Sequence, residues 1–444
     1  MCLIVHRTQP ARNLPSRARA AGRSLLIAAT ADSGGAKIEQ SRRYCSFVQR
    51  TISIPMLCVL ALLSAIAPLA TDMYLPGLPL MTESLNTSAP SVQLTLTTFM
   101  AGLGIGQLVI GPLSDGLGRR RLLIGATVVT TLAAMACALA PTVENLIAAR
   151  LFQGLSGGAA IVLARACIAD RARGDSAARL FSIMMIIGGV APVVAPLLGG
   201  ALLGPVGWRG IFWVLTAAGV AMFAGVLILV PETLPPENRH GGGLTALVRN
   251  LHYVVGNRVY LGYAFTFMFG FVALFSYISA SPFVVQNVLG LSPGQFSIVF
   301  AVNAAGMVSA AIVNTRLVGT FHARQLLRFG VTLLLTAGVV LLLAATTIDS
   351  PSWWAILIPL FVSVSSIGFV MGNATALAQG EVTKASGTGS ALLGAGQFGL
   401  AAVVSPLVGI AGPDSAVPMT VAIPSAGAVA MLSLLVLTRP THTS

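Results

Sequence analysis

A single acidic residue interrupts an uncharged stretch near the start of the chain. In PLATDMYLPGLP, residues 68–79, Asp72 is the only acidic or basic residue between Arg50 and Glu83. A charged side chain at the centre of a bilayer costs roughly 2.5 kcal/mol or more, so it usually faces a cavity or a partner. A carboxyl group that can be neutral or charged near pH 7 can carry a proton. The sequence therefore predicts proton coupling at Asp72, with a water-capped acid at a helix end as the alternative.

Arg150 is the only basic residue placed deep in a predicted membrane span. It lies six residues from the predicted outer end of its span, and Asp72 lies five from the outer end of the first span, so their depths are similar. Gly154 and Gly158 follow on one helix face and permit the close approach of another helix. Arg150 could pair with Asp72 or snorkel to the outer headgroups, and the sequence leaves both open.

A third group of candidate residues lies in GPLSDGLGRRR, residues 111–121, which we predict to be a loop at the inner face. Its glycines permit a tight turn. Asp115 is placed for the N-terminal end of a helix or for a nearby arginine. A loop that only orients the spans would explain the arginines but not the Gly-Asp-Gly spacing.

A segment rich in glycine and proline occurs twice. Residues 189–199 and 399–409 are identical at seven of eleven positions, at an offset of 210. The first copy lies in GGVAPVVAPLLGG, residues 188–200, where glycine and proline predict a bent, tightly packed span. The repeat predicts two six-helix bundles related by a pseudo-two-fold axis along the membrane normal.

These residues are set in an unusually apolar chain. Of 444 residues, 55% are hydrophobic and only 9% are charged, against roughly 25% charged in globular domains. The composition therefore predicts an all-α integral membrane protein. The net charge of +13 does not predict a nucleic-acid partner, because the basic residues lie in short loops that orient the spans. Five cysteines without a CxxC motif, five scattered histidines and no catalytic constellation predict neither a metal nor a cofactor, and no enzyme.

Twelve apolar runs are long enough to cross a bilayer. We divide the chain into a basic, disordered N-terminal extension (1–50), a first bundle (51–230), a cytoplasmic linker (231–257) and a second bundle (258–440). An organellar targeting segment, or a translation start assigned too far upstream, are the alternatives for residues 1–50. The spans lie near 53–77, 92–112, 122–141, 144–168, 178–203, 209–230, 259–283, 295–315, 325–347, 352–376, 386–411 and 416–438.

The basic residues also predict an orientation. With the N-terminus in the cytoplasm, the inner loops hold fifteen lysines and arginines, and the outer loops hold only Arg209. Such a bias is typical of cytoplasmic loops. We therefore predict a multi-pass protein with both termini in the cytoplasm.

Several of these stretches resemble signatures of the major facilitator superfamily. GPLSDGLGRRR resembles its signature between spans 2 and 3, RLFQG (150–154) the signature of span 4, and APLLGG (195–200) that of drug:proton antiporters in span 5. Gly116 and Ala195 depart from the usual residues. With TDMYLPGLP (71–79) and SYISASPFVV (276–285), the chain is most similar to the bicyclomycin/chloramphenicol-resistance (Bcr/CflA) group.

The resemblance implies roles for individual residues. Asp72 matches the acid that couples protons to drug, and Arg150 matches an arginine linked to proton transfer. An inner-face gate cluster would comprise Gly111, Asp115, Gly118, Arg119, Arg120 and Asp170. The antiporter helix would use Gly189, Pro192, Pro196, Gly199 and Gly200. Aromatic and methionine side chains suit an adaptable apolar pocket, so we place the substrate cavity at Tyr74, Met184, Phe275, Tyr277 and Gln397.

The resulting hypothesis is proton-coupled efflux of small hydrophobic or weakly polar drugs across the bacterial inner membrane, which would confer antibiotic resistance. The expected partners are the drug, protons and the lipid bilayer, and we expect a monomer. The alternative on the same fold is a proton-coupled importer of a nutrient or metabolite, which typically needs more polar groups inside its spans. A membrane enzyme or receptor is disfavoured, because no catalytic constellation or folded extramembrane domain is visible.

Overall fold

The structure is a computed structural model that describes residues 52–172, 175–235, 237, 251–347 and 352–438. These residues are nearly all helical, which confirms the predicted fold class. Within the described ranges, eleven helices are long and apolar enough to cross a membrane. One of these apolar stretches, Ile186–Leu229, runs over 44 residues, about twice the length that one span requires, and belongs to a helix that begins at Asp175.

That long helix contains two of the twelve predicted spans. Asp175–Leu229 is interrupted at Gly207, where φ is 66° and ψ is 179°. Glycine adopts positive φ without a steric penalty, so it can sit at this break. We label the arms before and after Gly207 α5 and α6. The remaining helices are α1 (Ile54–Asp72), α2 (Ala89–Leu117), α3 (Arg119–Leu139), α4 (Val143–Arg171), α7 (Arg258–Phe283), α8 (Pro293–Leu317), α9 (Ala323–Thr347), α10 (Trp353–Glu381), α11 (Ser386–Leu407) and α12 (Val417–Val436).

Hydroxyl and amide side chains begin several of these helices. Ser53, Ser88, Thr142 and Asn257 each accept a hydrogen bond from a backbone N–H of the first turn. Ser292 does the same within a full capping box. Each cap satisfies an N–H group that has no partner within the helix.

The prediction of a loop at 111–121 is wrong, because these residues are almost all helical. α2 continues to Leu117, and α3 begins at Arg119, so only Gly118 is non-helical, with φ 90° and ψ 160°. A helix of 29 residues is about 43 Å long, which exceeds the hydrocarbon thickness of about 30 Å. The last turns of α2 therefore project beyond the apolar layer. They are polar for this reason, and their polarity led to the prediction of a loop.

The glycine face of α4 packs against α2. A Cβ atom on Gly154 would collide with the backbone of Phe99, and one on Gly158 would collide with the backbone of Leu103. Gly102 of α2 meets the α4 backbone in the same way. Small residues thus bring the two backbones together, as expected where lipid supplies no hydrophobic drive between helices.

The helices form two groups. α1 to α6 pack mainly on one another, as do α7 to α12, and the groups meet where α2 faces α11 and where α5 faces α8. We call these groups the first and second bundle, and we call the end of the helices that carries Ser88 and Ser292 the predicted outer end. The extension at 1–50 and most of the linker lie outside the described residues, so those domain boundaries stay predictions.

Candidate functional site

Asp72 is the last residue of α1 and faces the space between the bundles. A 3-10 turn, Leu75–Gly77, and a short helix, Leu78–Ser84, continue the chain toward the predicted outer end. Asp72 is only 4% exposed, and no described residue donates a hydrogen bond to its carboxyl group. The alternative of a water-capped acid at an exposed helix end is therefore not what the structure describes.

A cavity of about 220 Å³ lies between the bundles, with Asp72 in its wall. α1, α2, α4 and α5 supply one side, and α7, α8, α10 and α11 supply the other. The wall is mostly aliphatic and aromatic. Phe271 of α7 meets Phe398 of α11 edge to face, with 5.6 Å between ring centroids. An apolar wall with few polar groups is typical of a small-molecule site.

Arg150 is completely buried in the first bundle, which contradicts snorkelling to headgroups. Its Nη1 donates to the Ala70 carbonyl at 3.0 Å and to Gln153 Oε1 at 2.6 Å. The guanidinium lies 4.5 Å from the Tyr74 ring centroid and 4.0 Å from that of Phe99. Both rings attract a cation at these distances.

Arg150 stabilises the end of α1 rather than pairing with Asp72. The Ala70 carbonyl is one of the last four of α1, which have no partner within the helix. A cation at the C-terminal end of a helix also interacts favourably with the helix dipole. Among the described residues, Arg150 and Asp72 form no ion pair. Arg150 thus acts on the backbone two residues before Asp72.

Of the five residues predicted to line the substrate cavity, two do so in the structure. Phe275 and Tyr277 line it. Tyr74 faces the other way, packs against Arg150 and bonds to Thr95 at 3.0 Å between hydroxyl oxygens. Met184 is buried in α5 and Gln397 is half-buried in α11, and neither is part of the described lining, where Phe398 takes the place beside Gln397.

The antiporter helix α5 touches both bundles. Gly199 lies against the Met73 backbone, one residue beyond Asp72, and Gly200 lies against Ser297 of α8. Pro192 lines the cavity, and a Cβ atom on Gly189 would lie 4.0 Å from the side chain of Val308. Pro196 is buried. The small residues therefore let α5 lie close to α1 and to α8 at the same time.

The inner-face cluster is assembled around Arg119. Its Nε donates to Asp170 Oδ2 at 3.1 Å, and Thr233 Oγ1 donates to the same oxygen at 2.9 Å. Arg119 also donates to Ser114, whose hydroxyl in turn donates to the Gly111 carbonyl at 2.7 Å. The side chain of Asp115 lies outside the described part.

Glu232 belongs to this cluster, and sequence reasoning missed it. Its carboxylate accepts hydrogen bonds from the backbone N–H groups of Arg119 and Arg120, at 2.9 and 3.4 Å, and so caps the start of α3. Two further N–H groups, of Thr233 and Leu234, donate at 3.1 Å each. Burial acts to raise the pKa of Glu232, but these four bonds outweigh it and hold the pKa below its usual range.

Arg120 connects α3 to α6. We call the contacts made by Arg119, Arg120, Asp170 and Glu232 the charged joint. Its Nη2 donates to the Leu227 carbonyl at 2.9 Å, in the last turn of α6. The acid in PETLP, directly after an apolar run, was the available signal for this joint. This stretch lies in the predicted linker, for which the sequence predicts no functional role.

A second set that the sequence did not reveal joins the bundles at the predicted outer end. Gln93 Nε2 donates to the Ser279 carbonyl at 3.1 Å, and Ser405 Oγ donates to the Gln93 carbonyl at 3.2 Å. Gln286 Nε2 donates to the Pro76 carbonyl at 3.1 Å. These three hydrogen bonds between the bundles involve no charged group and lie at this end.

Comparison with known proteins agrees with this architecture. The model of the Major Facilitator Superfamily matches residues 60–406. The chain is 38% identical over 363 residues to the MFS-type transporter YdgK of Bacillus subtilis (strain 168), covering 81% of this chain and 90% of the relative. It is 31% identical over 372 residues to the bicyclomycin resistance protein homolog of Haemophilus influenzae, covering 84% and 93%.

The fold is also similar to that of a solved D-xylose-proton symporter. The TM-score is 0.68, the identity is 17%, and the match covers 87% of this chain and 97% of the other. At this identity the likeness shows the fold alone. The family match and the two relatives confirm the resemblance found in the sequence. The chain therefore belongs to the Major Facilitator Superfamily of membrane transporters, in its Bcr/CflA-like group.

Proposed function

We propose that the protein exports small hydrophobic or weakly polar drugs across the bacterial cytoplasmic membrane in exchange for protons. The observation that carries this proposal is the cavity between the bundles, in which Asp72 is the only acid of an otherwise mostly apolar wall. The relative named for bicyclomycin resistance supports a drug as the cargo. Both termini would be cytoplasmic, the protein would act as a monomer, and the proton would be the coupling ion.

A single acid makes drug and proton compete for one place. The Asp72 carboxylate has no described hydrogen-bond donor, so in its charged form it stabilises a bound drug by its charge or by accepting a hydrogen bond. Protonation from the outside removes that charge and favours release of the drug. Loss of the proton to the inside reopens the site to the next drug molecule.

Alternating access requires the two bundles to rock about the cavity. The three cross-bundle hydrogen bonds of Gln93, Ser405 and Gln286 would break when the predicted outer end opens. α5 would then slide on α8, where the contact of Gly200 with Ser297 permits a close fit. We call these three hydrogen bonds the seam. Neutral hydrogen bonds suit a contact that opens in every cycle, because each contributes only about 0.5–1.5 kcal/mol net.

The cavity favours export of drugs over import of a polar nutrient. A nutrient with many hydroxyl groups would lose its water on entry and would need a protein partner for each group. Apart from Asp72, the lining offers only the hydroxyl groups of Thr71 and Tyr277 as polar side-chain groups. A mostly apolar ligand fits such a wall at a lower cost of desolvation.

The test is drug-driven proton movement in proteoliposomes with an internal pH dye. We expect chloramphenicol to drive proton release by the wild type, and Asp72→Asn to reduce this release at least about tenfold while the protein still folds. Asn keeps the size of Asp but cannot carry the proton. Glu83→Gln is the matched control, because Glu83 is exposed and lies outside the cavity lining.

Two results would contradict the proposal. Unchanged coupling in Asp72→Asn would remove Asp72 from the mechanism. Uptake into the compartment toward which protons flow would favour the importer.

A further inference from the structure

The cavity wall contains three polar side chains, and only one of them makes a hydrogen bond of normal geometry to the protein. Thr71, Asp72 and Tyr277 are the polar residues of the described lining. The Thr71 hydroxyl donates to the Ala67 carbonyl at 2.8 Å, within its own helix. The Asp72 carboxyl and the Tyr277 hydroxyl remain. The Thr71 hydroxyl can still accept a hydrogen bond, but only the other two groups are without a bond to the protein, so we expect polar recognition of a ligand to come mainly from them.

Tyr277 is held in place but lacks a well-formed hydrogen bond for its hydroxyl group. The residue is 2% exposed, and its ring stacks on Phe300 with 5.2 Å between centroids. The hydroxyl of Tyr277 makes no hydrogen bond of normal geometry among the described residues. The hydroxyl of Ser281, one helical turn along α7, lies close enough to interact with it but makes no such bond either. A buried polar group without a partner destabilises the protein, so an unpaired hydroxyl in a cavity wall calls for an explanation.

A ligand supplies that explanation. We propose that the Tyr277 hydroxyl is a substrate-binding group that donates a hydrogen bond to an acceptor oxygen or nitrogen of the drug. This inference rests on the proposed function, because it concerns the same cavity. It narrows the substrate class to largely apolar molecules with an acceptor at one place and a cation or hydrogen-bond donor, for Asp72, at another.

The Asp72 carboxyl and the Tyr277 hydroxyl lie on different bundles, so a ligand bound to both connects the bundles. Asp72 belongs to α1 of the first bundle, and Tyr277 belongs to α7 of the second. A molecule bound to both groups bridges the bundles. Ligands that carry only one of the two polar features would contact only one bundle by a polar bond.

The experiment compares two probes on Tyr277→Phe, which removes the hydroxyl and keeps the stacked ring. Chloramphenicol carries nitro and amide oxygens as acceptors, whereas tetraphenylphosphonium is a cation with neither donor nor acceptor. We expect the Kd for chloramphenicol to rise about three- to tenfold, as for the loss of one hydrogen bond, and the Kd for tetraphenylphosphonium to change less than about twofold.

A second measurement separates a binding role from a structural one. Because the hydroxyl makes no hydrogen bond of normal geometry to the protein, Tyr277→Phe should leave the Tm of the ligand-free protein unchanged or raise it. Tyr263→Phe is the matched control, since Tyr263 is buried in the same helix but does not line the cavity. It should change neither Kd.

The outcomes distinguish this inference from the function on which it rests. An unchanged Kd for chloramphenicol in Tyr277→Phe, an equal loss for both probes, or a clear fall in Tm would overturn the role of Tyr277 while leaving drug export intact. A wild-type protein that binds neither probe and releases no protons on drug addition would overturn the proposed function, and this inference with it.

Discussion

The two ends of the helices use different chemistry. At the predicted outer end, the bundles are joined by amides and hydroxyls, through Gln93, Ser405 and Gln286. At the opposite end, charged groups tie parts of the first bundle to one another, through Arg119, Asp170 and Glu232. The first set crosses between bundles, and the second set does not among the described contacts.

This difference suits the separate tasks of the two ends. A seam that must open benefits from bonds that are individually weak and independent of pH and salt. A joint that holds α2, α3, α4 and the chain after α6 together benefits from charge-assisted bonds, which are roughly twice as strong as neutral ones. The joint should therefore determine stability, and the seam should determine which state is populated.

The largest expected effect tests the charged joint. Asp170→Asn should lower the free energy of unfolding by about 2 kcal/mol, because it removes the carboxylate that accepts from Arg119 and Thr233 in a mostly buried place. Thermal unfolding of the purified protein measures this. Asp170→Glu keeps the charge and should recover part of the loss. A change below about 0.5 kcal/mol in Asp170→Asn would refute a stabilising joint.

A smaller effect is expected at the cap of α3. Glu232→Gln should cost about 1 kcal/mol near pH 7, as for the loss of a helix cap. The pKa of Glu232 is lowered in the folded state, so its stabilisation is present above the ordinary glutamate pKa of about 4.3 and is lost as pH falls through the lower folded value.

The pH series gives the sharper test of this cap. Wild type and Glu232→Gln should differ in Tm at pH 7 and converge as the pH falls below about 4. A difference that is constant with pH would show that Glu232 contributes through its shape and not its charge.

The smallest effect in free energy tests the neutral seam. Gln93→Ala should favour the state with an open outer end by about two- to tenfold, since it removes a cross-bundle bond worth about 0.5–1.5 kcal/mol. The rate at which an impermeant maleimide labels Ile278→Cys, a cavity residue, reports this population. The same protein without Ile278→Cys gives the background from native cysteines.

The matched control for the seam is Thr98→Ala, because the Thr98 hydroxyl bonds only within the first bundle, to carbonyls of α2 and to the Ile147 carbonyl of α4. It should leave the labelling rate unchanged. The increase in Gln93→Ala should also be the same at pH 6 and pH 8, since no charge is removed. A strong dependence of this increase on pH would contradict the claim that the outer end is held by neutral bonds and the opposite end by charged ones.

Much of the fold could be predicted from the sequence because span length is set by the bilayer. Apolar runs predicted the helices, and the glycine spacing of Gly154 and Gly158 predicted a close contact, which is made with α2. The facing of the helices could not be predicted in the same way. In a membrane the lipid-facing and the core-facing sides are both apolar, so Tyr74 and Phe275 look alike in the sequence although only Phe275 lines the cavity.

The sequence by itself determined the class of the protein, the number of its spans, the repeat and the energetic cost of placing the Asp72 carboxylate in a membrane, since all of these follow from composition and local spacing. Tertiary structure alone decided that Arg150 binds the end of α1 and not Asp72, that Glu232 caps α3, and that Tyr277 shares a cavity with Asp72. The physical reason is that each of these contacts joins residues far apart in the chain, where only packing selects the partner.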